Sequence, residues 1–248
     1  MQTLSLNHQK KLRKLIQKKY REESRLFVVE GMRAVTDALE SRALTEVLVT
    51  EKYCAMHTLP QTDVPVYLVE DKLLCDLCDT RAPQGIAGIA GFVHHSRYPE
   101  KAGFYLFLDD LADPGNLGTI LRTADAAACD GVLLTADTVE LYNPKTVRAT
   151  MGSVFHLPIY RITDKKEALL HLKSLGCPIL ASALDGAVDF KEAGLNGDCV
   201  VVVGNEAHGV SDLVLGLADR RVKIPMPGAA ESLNAGVAAA LLLYEHLR

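Results

Sequence analysis

Four short, uninterrupted apolar runs in the second half of the sequence constrain the fold more than any other feature. They lie at residues 105–108, 132–134, 179–181 and 200–203. A strand with one face in water alternates apolar and polar residues, whereas a strand covered on both faces is apolar throughout. Helical stretches separate the runs, at 118–129, 144–153, 165–175, 211–217 and 232–247. We therefore predict a parallel α/β sheet with helices on both faces.

The first hundred residues show a separate alternation of shorter segments. It predicts a basic amphipathic helix at 7–19, strands at 26–29, 46–50, 64–69 and 86–93, and helices at 31–40 and 71–78. Residues 94–103 break this rhythm with Ser96, Pro99 and Gly103, which is typical of a linker. We predict two α/β domains, at 1–97 and 104–248, joined by a linker at 98–103.

Composition and cysteine placement narrow the class of protein. A content of 48% hydrophobic and 23% charged residues is ordinary for a soluble globular chain. No apolar run reaches about 18 residues and the N-terminus lacks a secretory segment, so we expect a cytoplasmic protein without a membrane span. The six cysteines are scattered among core-like residues, which favours reduced thiols. The pair Cys75 and Cys78 lacks a second such pair, so no metal is expected.

A basic block interrupts the otherwise balanced charge near the N-terminus. Eight Lys and Arg residues stand between Lys10 and Arg25 against Glu22 and Glu23. Such a block is typical either of contact with nucleic-acid phosphates or of a solvated helix face. Because the overall pI is only about 6.1, any RNA contact must be local. The candidate RNA-binding residues are Lys10, Lys11, Arg13, Lys14 and Lys18.

Three loops in the second half each follow a predicted strand and lead into a helix, where open α/β sheets bind ligands. In the first loop Asn116 is placed to cap the helix, and Arg122 lies about two turns further on, beside Asp125. In the second, Gly204 permits close approach of a ligand to the backbone, and Glu206 follows at the sheet edge. Taken singly, the first loop is also explained as a capped helix with a local ion pair, and the second as a strand-to-helix turn with a surface glutamate.

The third loop runs from a Pro-Gly-rich stretch into an Ala/Leu/Val-rich helix. Ser232 or Asn234 could act there as a simple helix cap. None of the three loops has the spacing G-x-G-x-x-G, and the chain has no Walker A, G-x-S-x-G or H-E-x-x-H motif. These absences argue against a dinucleotide site, a class I methyltransferase, and a nucleotide-dependent oxidoreductase.

Together and in this order, the loops resemble the SpoU (TrmH-type) branch of the SPOUT RNA methyltransferases. The matching stretches are DPGNLGTILRTADAAACDGVLL, VVVGNEAHGVS and IPMPGAAESLNAGVAAALLLYE, with YNPKTVRATMGSVFHLP between the first two. The resemblance implies a deep trefoil knot near the C-terminus and a homodimer formed through the second domain. The first domain resembles, more weakly, a substrate-binding module related to RNA-binding ribosomal proteins, on its layout and on the sequence PQGIA at 83–87.

The resemblance implies transfer of a methyl group from S-adenosyl-L-methionine to a ribose 2′-hydroxyl, with ribosomal RNA favoured over tRNA as substrate and without a metal. The matching cofactor-binding positions are Gly204, Asn205, Ile224, Met226, Leu233, Ser182 and Ala183. The matching catalytic positions are Arg122, Asn116, Glu206, Ser232 and Asn234. Glu206 would orient Arg122 or the ribose.

The role of Arg122 stays open at this point. The family suggests that this arginine acts on the 2′-hydroxyl, yet a guanidinium with a pKa above about 12 stays protonated. We therefore expect Arg122 to hold RNA phosphate and to stabilise the developing alkoxide. The alternatives are a tRNA 2′-O-methyltransferase and a non-catalytic RNA-binding relative, although such a relative would be expected to lose Arg122, Glu206 or Asn234.

Overall fold

The computed structural model describes every residue from Met1 to Arg248. Its strands are β1 (Gln2–Thr3), β2 (Leu26–Glu30), β3 (Leu44–Val49), β4 (Val66–Leu68), β5 (Ile86–Gly91), β6 (Phe104–Asp109), β7 (Gly131–Leu134), β8 (Ile159–Arg161), β9 (Ile179–Ser182), β10 (Val188–Asp189), β11 (Cys199–Gly204) and β12 (Arg220–Lys223). Its helices are α1 (Leu6–Arg13), α2 (Lys18–Ser24), α3 (Met32–Glu40), α4 (Glu51–Met56), α5 (Asp71–Cys78), α6 (Pro114–Ala126), α7 (Pro144–Thr150), α8 (Lys165–Ser174), α9 (Asp212–Leu217) and α10 (Ala235–Glu245).

The chain forms two compact units. The first comprises Met1–Val93 and Tyr142–His156, and the second comprises His94–Leu141 and Leu157–Arg248. The predicted second domain, 104–248, includes the segment Tyr142–His156, which the structure groups with the first unit. The division into an RNA-binding and a methyltransferase domain at 98–103 stays a prediction.

A seven-stranded sheet organises the second unit, in the order β10-β12-β9-β11-β6-β7-β8. All of its strand pairs are parallel. The central strands β6 and β11 are buried along their whole length, as the uninterrupted apolar runs require. Their registered pairing places Gly204 opposite Asp109, so both strands end at the same edge. The predicted parallel α/β sheet is confirmed.

The core of the second unit lies between this sheet and helices that pack on it. Phe107 and Val202 from the central strands and Leu169 and Leu172 from α8 belong to one buried cluster. Burying each such side chain contributes roughly 1.5–3 kcal/mol, so the sheet edge that carries the three loops rests on a rigid base.

The first unit is built on a mixed five-stranded sheet in the order β1-β4-β3-β5-β2. β5 is antiparallel to both of its neighbours, while β4 pairs in parallel with β1 and β3. The segment Tyr142–His156 packs on this unit: the ring of Tyr142 lies 4.6 Å from that of Phe27, and Arg148 Nη1 donates to the carbonyl of Cys78 at 2.8 Å.

The structure shows which residues cap the helices that follow the three loops. Asp113, not Asn116, caps α6, because its carboxylate accepts the N–H of Asn116 at 2.7 Å and Pro114 occupies the first helical position. Of the two residues expected to cap α10, Ser232 or Asn234, it is Asn234 that does so, accepting from the N–H groups of Gly236 and Val237. Ser211 precedes α9 but makes no side-chain capping bond.

The single basic helix predicted at 7–19 is wrong. The chain instead forms α1, a 3-10 turn over Lys14–Ile16, and then α2, because Gln17 adopts an extended conformation between them. Arg21 is only 3% exposed and donates to the carbonyls of Leu15 and Ile16, each at 2.6 Å. One member of the basic block therefore holds this bend together instead of facing solvent.

Candidate functional site

Three loops leave the second unit's sheet at the carboxyl ends of neighbouring strands. The first follows β6 and enters α6, the second follows β11 and enters α9, and the third follows β12 and enters α10. Because β6, β11, β9 and β12 are consecutive in the sheet, the three loops share one edge. Ligands of open parallel sheets bind outside this edge.

Glu206 in the second loop is bonded directly to the first loop. Its carboxylate accepts the backbone N–H of Ala112 at 2.9 Å, that of Asp113 at 3.0 Å, and the side-chain amide of Asn116 at 2.8 Å. Three donors on one carboxylate fix its orientation, and ionised acceptors form the stronger hydrogen bonds. Glu206 therefore holds the two loops together.

Asn234 extends this connection to the third loop. Its side-chain amide donates to Asn116 Oδ1 at 2.9 Å, while its own Oδ1 caps α10 by accepting from Gly236 N at 2.8 Å. Asn116 thus donates to Glu206 and accepts from Asn234. The side chains of Glu206, Asn116 and Asn234 form a continuous chain, which we call the three-loop network, across all three loops.

The charge state of the network follows from its donors. Burial tends to raise the pKa of Glu206, but the hydrogen bonds from Asn116 and from the backbone of Ala112 and Asp113 outweigh it and hold the pKa below its ordinary value. Glu206 is therefore an anion at neutral pH, so it acts as an acceptor and not as a proton donor.

The backbone around Gly204 and Asn205 approaches its neighbours unusually closely. A Cβ added at Gly204 would lie 2.2 Å from the carbonyl carbon of Gly209, so only glycine fits. Asn205 and Gly209 exchange backbone hydrogen bonds at 2.9 and 2.8 Å. The Asn205 side chain donates to the Asp110 carbonyl at 2.7 Å. Asn205 is thus committed to holding the loop's shape.

A partly buried charge cluster that the sequence analysis missed supports the same loops. Lys165 Nζ lies 2.7 Å from Asp109 Oδ1 and 2.5 Å from Asp110 Oδ2. Asp109, 1% exposed, also accepts the N–H of Ser211 at 2.7 Å. The available signal was a pair of adjacent acids directly after a buried strand, which need a cation.

The titration of this cluster follows from its contacts. Burial acts to raise the pKa of Asp110, yet hydrogen bonds from Lys165 and Thr135 lower it overall. Burial likewise acts to lower the pKa of Lys165, while its two carboxylate partners raise it overall. Asp110 and Lys165 are therefore charged at neutral pH, and the cluster ties α8 to the end of β6 and to the start of α9.

Arg122 is not part of the three-loop network. It is exposed on α6, about 9 Å along the helix axis from Asn116 and about a third of a turn around it. It forms no hydrogen bond or ion pair, so neither the ion pair with Asp125 nor contact with Glu206 is present. Its guanidinium is free to meet an anion.

The other predicted cofactor and substrate residues lie along the same sheet edge. Ile224, Met226 and Leu233 are half-buried in the third loop, while Ser232 is exposed. Ser182 ends β9, and the N–H of Ala183 donates to the Val222 carbonyl at 2.9 Å. No backbone group from Ile224 to Leu233 forms a hydrogen bond within the chain, so this loop offers free donors and acceptors.

The predicted RNA-binding side chains of the first unit divide into two groups. Lys10, Lys11 and Lys14 are exposed. Arg13 pairs with Asp76 at 3.1 Å, and Lys18 lies 3.8 Å from Glu22. An exposed ion pair of this kind contributes at most about 1 kcal/mol to stability, so Arg13 and Lys18 can still exchange their carboxylate partners for RNA phosphate.

Comparison with known proteins identifies the arrangement of the three loops. A model of the SpoU rRNA methylase family matches residues 103–244, more than half of the chain. The chain belongs to this family. A second model, for an MRM3-like substrate binding domain, matches residues 7–88.

Relatives resemble this SpoU-family chain over nearly its whole length. The 23S rRNA (guanosine(2553)-2′-O)-methyltransferase RlmP of Bacillus subtilis is 34% identical over 240 residues, covering 95% of this chain and 94% of the relative. An AdoMet-bound rRNA methyltransferase from Sinorhizobium meliloti is 32% identical, with a TM-score of 0.86 over 99% of this chain and 97% of its own. A solved RNA 2′-O ribose methyltransferase is 31% identical, with a TM-score of 0.82, covering 100% and 98%.

These similarities confirm three predictions made from the sequence: the SpoU family, its α/β class of fold, and an S-adenosylmethionine-dependent RNA methyltransferase activity. No helix of the protein has the length and apolarity needed to cross a membrane. No group of three or more His, Cys, Asp or Glu side chains is placed to hold a metal ion. The roles of the individual site residues stay predictions.

Proposed function

We propose that this protein transfers the methyl group of S-adenosylmethionine to a ribose 2′-hydroxyl of ribosomal RNA. The observation that carries the proposal is the three-loop network, because Glu206, Asn116 and Asn234 join the three family-matching loops into one structure at the carboxyl edge of the sheet. B. subtilis RlmP, which aligns with 95% of the chain, acts on rRNA at a ribose 2′-oxygen.

The third loop is the proposed binding site for the adenine end of the cofactor. Its unpaired backbone groups between Ile224 and Leu233 suit a ligand recognised through the backbone, and Gly204 keeps the adjacent strand end free of a side chain. Met226, Ser182 and Ala183 would line the same pocket. When bound, the cofactor supplies an electrophilic methyl group on a cationic sulfonium.

The chain's own residues then have two tasks, which are positioning and charge stabilisation. The three-loop network holds the loops in place, and Ser232 lies exposed beside it, where it can bond substrate. Arg122, unpaired in the protein, would bind an RNA phosphate and stabilise the alkoxide that develops as the 2′-hydroxyl releases its proton to solvent water and takes the methyl group from the sulfonium sulfur. Because its guanidinium stays protonated, we assign it no role as a base.

We propose that the loops after β11 and β12 form the family's trefoil knot. The hydrogen bonds that join Asn116 to both Glu206 and Asn234 support this, because they draw three distant parts of the sequence together.

We also propose a homodimer formed through α10. Its side chains Val237, Leu241 and Tyr244 are 49%, 40% and 50% exposed, respectively, on a helix that otherwise packs on α6 and β11. They recur at intervals of three to four residues and so form one apolar face. Such a face is typical of a subunit interface.

The first unit is the proposed RNA-binding module. Its side chains that would contact RNA phosphate are Lys10, Lys11, Arg13, Lys14 and Lys18. Its match to a substrate binding domain supports this assignment. We also propose that the protein acts in the cytoplasm, where it would meet a ribosomal RNA substrate.

Substitution of Arg122 by alanine tests the proposal. Arg122→Ala should abolish methyl transfer to RNA while S-adenosylmethionine binds as in the wild type, because Arg122 lies outside the three-loop network. Arg97→Ala, a change of another exposed arginine of the second unit, serves as the control and should retain activity. Turnover by Arg122→Ala at the wild-type rate would contradict the assigned role.

A further inference from the structure

A cavity of about 190 Å³ lies within the first unit, whereas the three-loop network belongs to the second. Its apolar walls come from β2, α3, α5 and the segment that follows Leu141, through Val28, Ala34, Leu77, Val147 and Met151. Pockets for drug-sized ligands occupy about 300–1,000 Å³, so this smaller cavity suits a single flat group.

Two polar side chains with unused bonding capacity face this cavity. Glu30 accepts the N–H of Gln84 at 3.2 Å through one oxygen only. The Gln84 amide has no partner and lies directly over Gly31, where an added Cβ would be 2.6 Å from its Oε1. Glycine at this position, with φ +90°, therefore lets the Gln84 side chain cover the cavity beside Glu30.

The charges around the cavity favour an anionic polymer at its mouth. Arg33 and Arg148 both line it, and the Arg33 side chain is 71% exposed, with its nearest carboxylate oxygen, on Asp37, 4.0 Å away. Arg148 uses one N–H to bond the Cys78 carbonyl, which leaves its other donors free. The two arginines suit the phosphates of a nucleotide, and the one carboxylate of the cavity suits its base.

The lining of the cavity also includes the thiol of Cys78. Burial, with Glu30 nearby, raises the pKa of the Cys78 thiol to about 12, so it stays protonated at neutral pH. Glu30 is then the acceptor available to a bound group. A guanine base carries adjacent N1–H and N2–H donors on its Watson–Crick edge, and these match two carboxylate oxygens. Unpaired RNA bases are recognised on this edge.

We infer that this cavity binds one unpaired guanine of the RNA substrate, with Glu30 accepting from its Watson–Crick edge, Gln84 donating to its O6, and Arg33 and Arg148 contacting the flanking phosphates. The inference rests on the proposed RNA substrate. It adds a base-specific site, in the first unit, to a methyl-transfer site in the second. The segment Tyr142–His156 supplies Val147, Arg148 and Met151, so it contributes directly to reading the RNA.

Three uridine heptamers that differ only at the central nucleotide test the inference. The centre is guanosine, inosine, which lacks the 2-amino group, or adenosine, and binding to the full chain is measured by fluorescence anisotropy. A good bidentate contact gives about 1–3 kcal/mol of discrimination. We therefore expect the guanosine heptamer to bind wild type about tenfold more tightly than the other two. Equal binding of the three heptamers would overturn the inference.

Variants then assign the contact. Glu30→Gln should reduce the preference for guanosine to under twofold, while Glu40→Gln, which changes an exposed glutamate outside the cavity, should keep it. Gln84→Ala alters an exposed side chain and gives an independent test should Glu30→Gln unfold. An undiminished preference in either folded cavity variant would overturn the assignment. Methylation of ribosomal RNA by wild type is measured alongside: its absence contradicts the proposed function, whereas methylation without guanosine preference contradicts only this site.

Discussion

Replacement of Glu206 by glutamine tests the three-loop network at its centre. The amide keeps the size of the side chain but presents one acceptor oxygen where the carboxylate presents two. Its NH2 group must face either the N–H of Ala112 or the donors of Asp113 and Asn116, now 2.9, 3.0 and 2.8 Å from the carboxylate. Losing a charged hydrogen bond costs about 1.5–3 kcal/mol.

The expected cost to loop order follows from that value. Glu206 is exposed to solvent, so we take about 2 kcal/mol, in the lower half of that range, or roughly 30-fold in an equilibrium constant. The dissociation constant for S-adenosylmethionine, measured by calorimetry, should therefore rise about 10- to 30-fold. The midpoint of thermal unfolding should move little, because the core of the second unit is untouched.

The control is Glu192→Gln, since Glu192 is an exposed glutamate of the second unit without a hydrogen-bond or ion-pair partner. It should bind the cofactor within about twofold of wild type. Wild-type cofactor affinity in Glu206→Gln would show that the network does not shape the site. Because hydrogen bonds hold the pKa of Glu206 below its usual value, wild-type binding should also persist at mildly acidic pH and weaken only as pH falls through that lowered pKa.

Three further predictions concern the parts that support the site. Gly204→Ala should lower the unfolding midpoint by about 5–10 °C, since overpacking against backbone costs about 3 kcal/mol, while Gly216→Ala, where a Cβ meets open space, should be neutral. Lys165→Met leaves two adjacent carboxylates without their cation and should cost about 2–4 kcal/mol in urea unfolding. Because Lys165 helps to hold the pKa of Asp110 below its ordinary value, the wild type keeps this stabilisation at neutral pH and loses it as pH falls through that lowered pKa, so the difference from wild type should narrow there; a difference that stays constant down to that pH would contradict the ion-pair assignment. Neutralising the exposed Lys10, Lys11 and Lys14 together should weaken RNA binding and reduce the slope of log affinity against log salt concentration by about 2. An unchanged slope would indicate that these lysines form only a solvated surface.

The parallel sheet was predictable because burial leaves a direct mark on sequence. The apolar run at 200–203 became β11, Cys199–Gly204, with an error of one residue at each end. β8 was missed, because only Ile159 of its three residues is fully buried and so no apolar run marks it. The N-terminal helix was predicted as continuous because periodicity does not register the extended backbone at Gln17.

The residues of the three-loop network were predictable one by one from the family resemblance, but their bonding was not. Glu206 was expected to orient Arg122 or the ribose; in the structure it bonds Ala112, Asp113 and Asn116 and does not contact Arg122. The partners lie 90 or more positions apart in sequence, and only the sheet order brings them together. For the same reason, nothing local links Lys165 to Asp109, although two adjacent acids after a buried strand are themselves a signal.

The central claim is ribose methylation of ribosomal RNA, and one measurement tests it directly. Purified protein is incubated with S-adenosylmethionine labelled in its methyl group and with ribosomal RNA transcripts, and the RNA is then hydrolysed in alkali. A 2′-O-methyl group blocks cleavage at its own phosphodiester, so the label should appear in alkali-resistant dinucleotides, and Arg122→Ala should give none. Label recovered only in mononucleotides, or no label in any ribosomal RNA, would contradict the account.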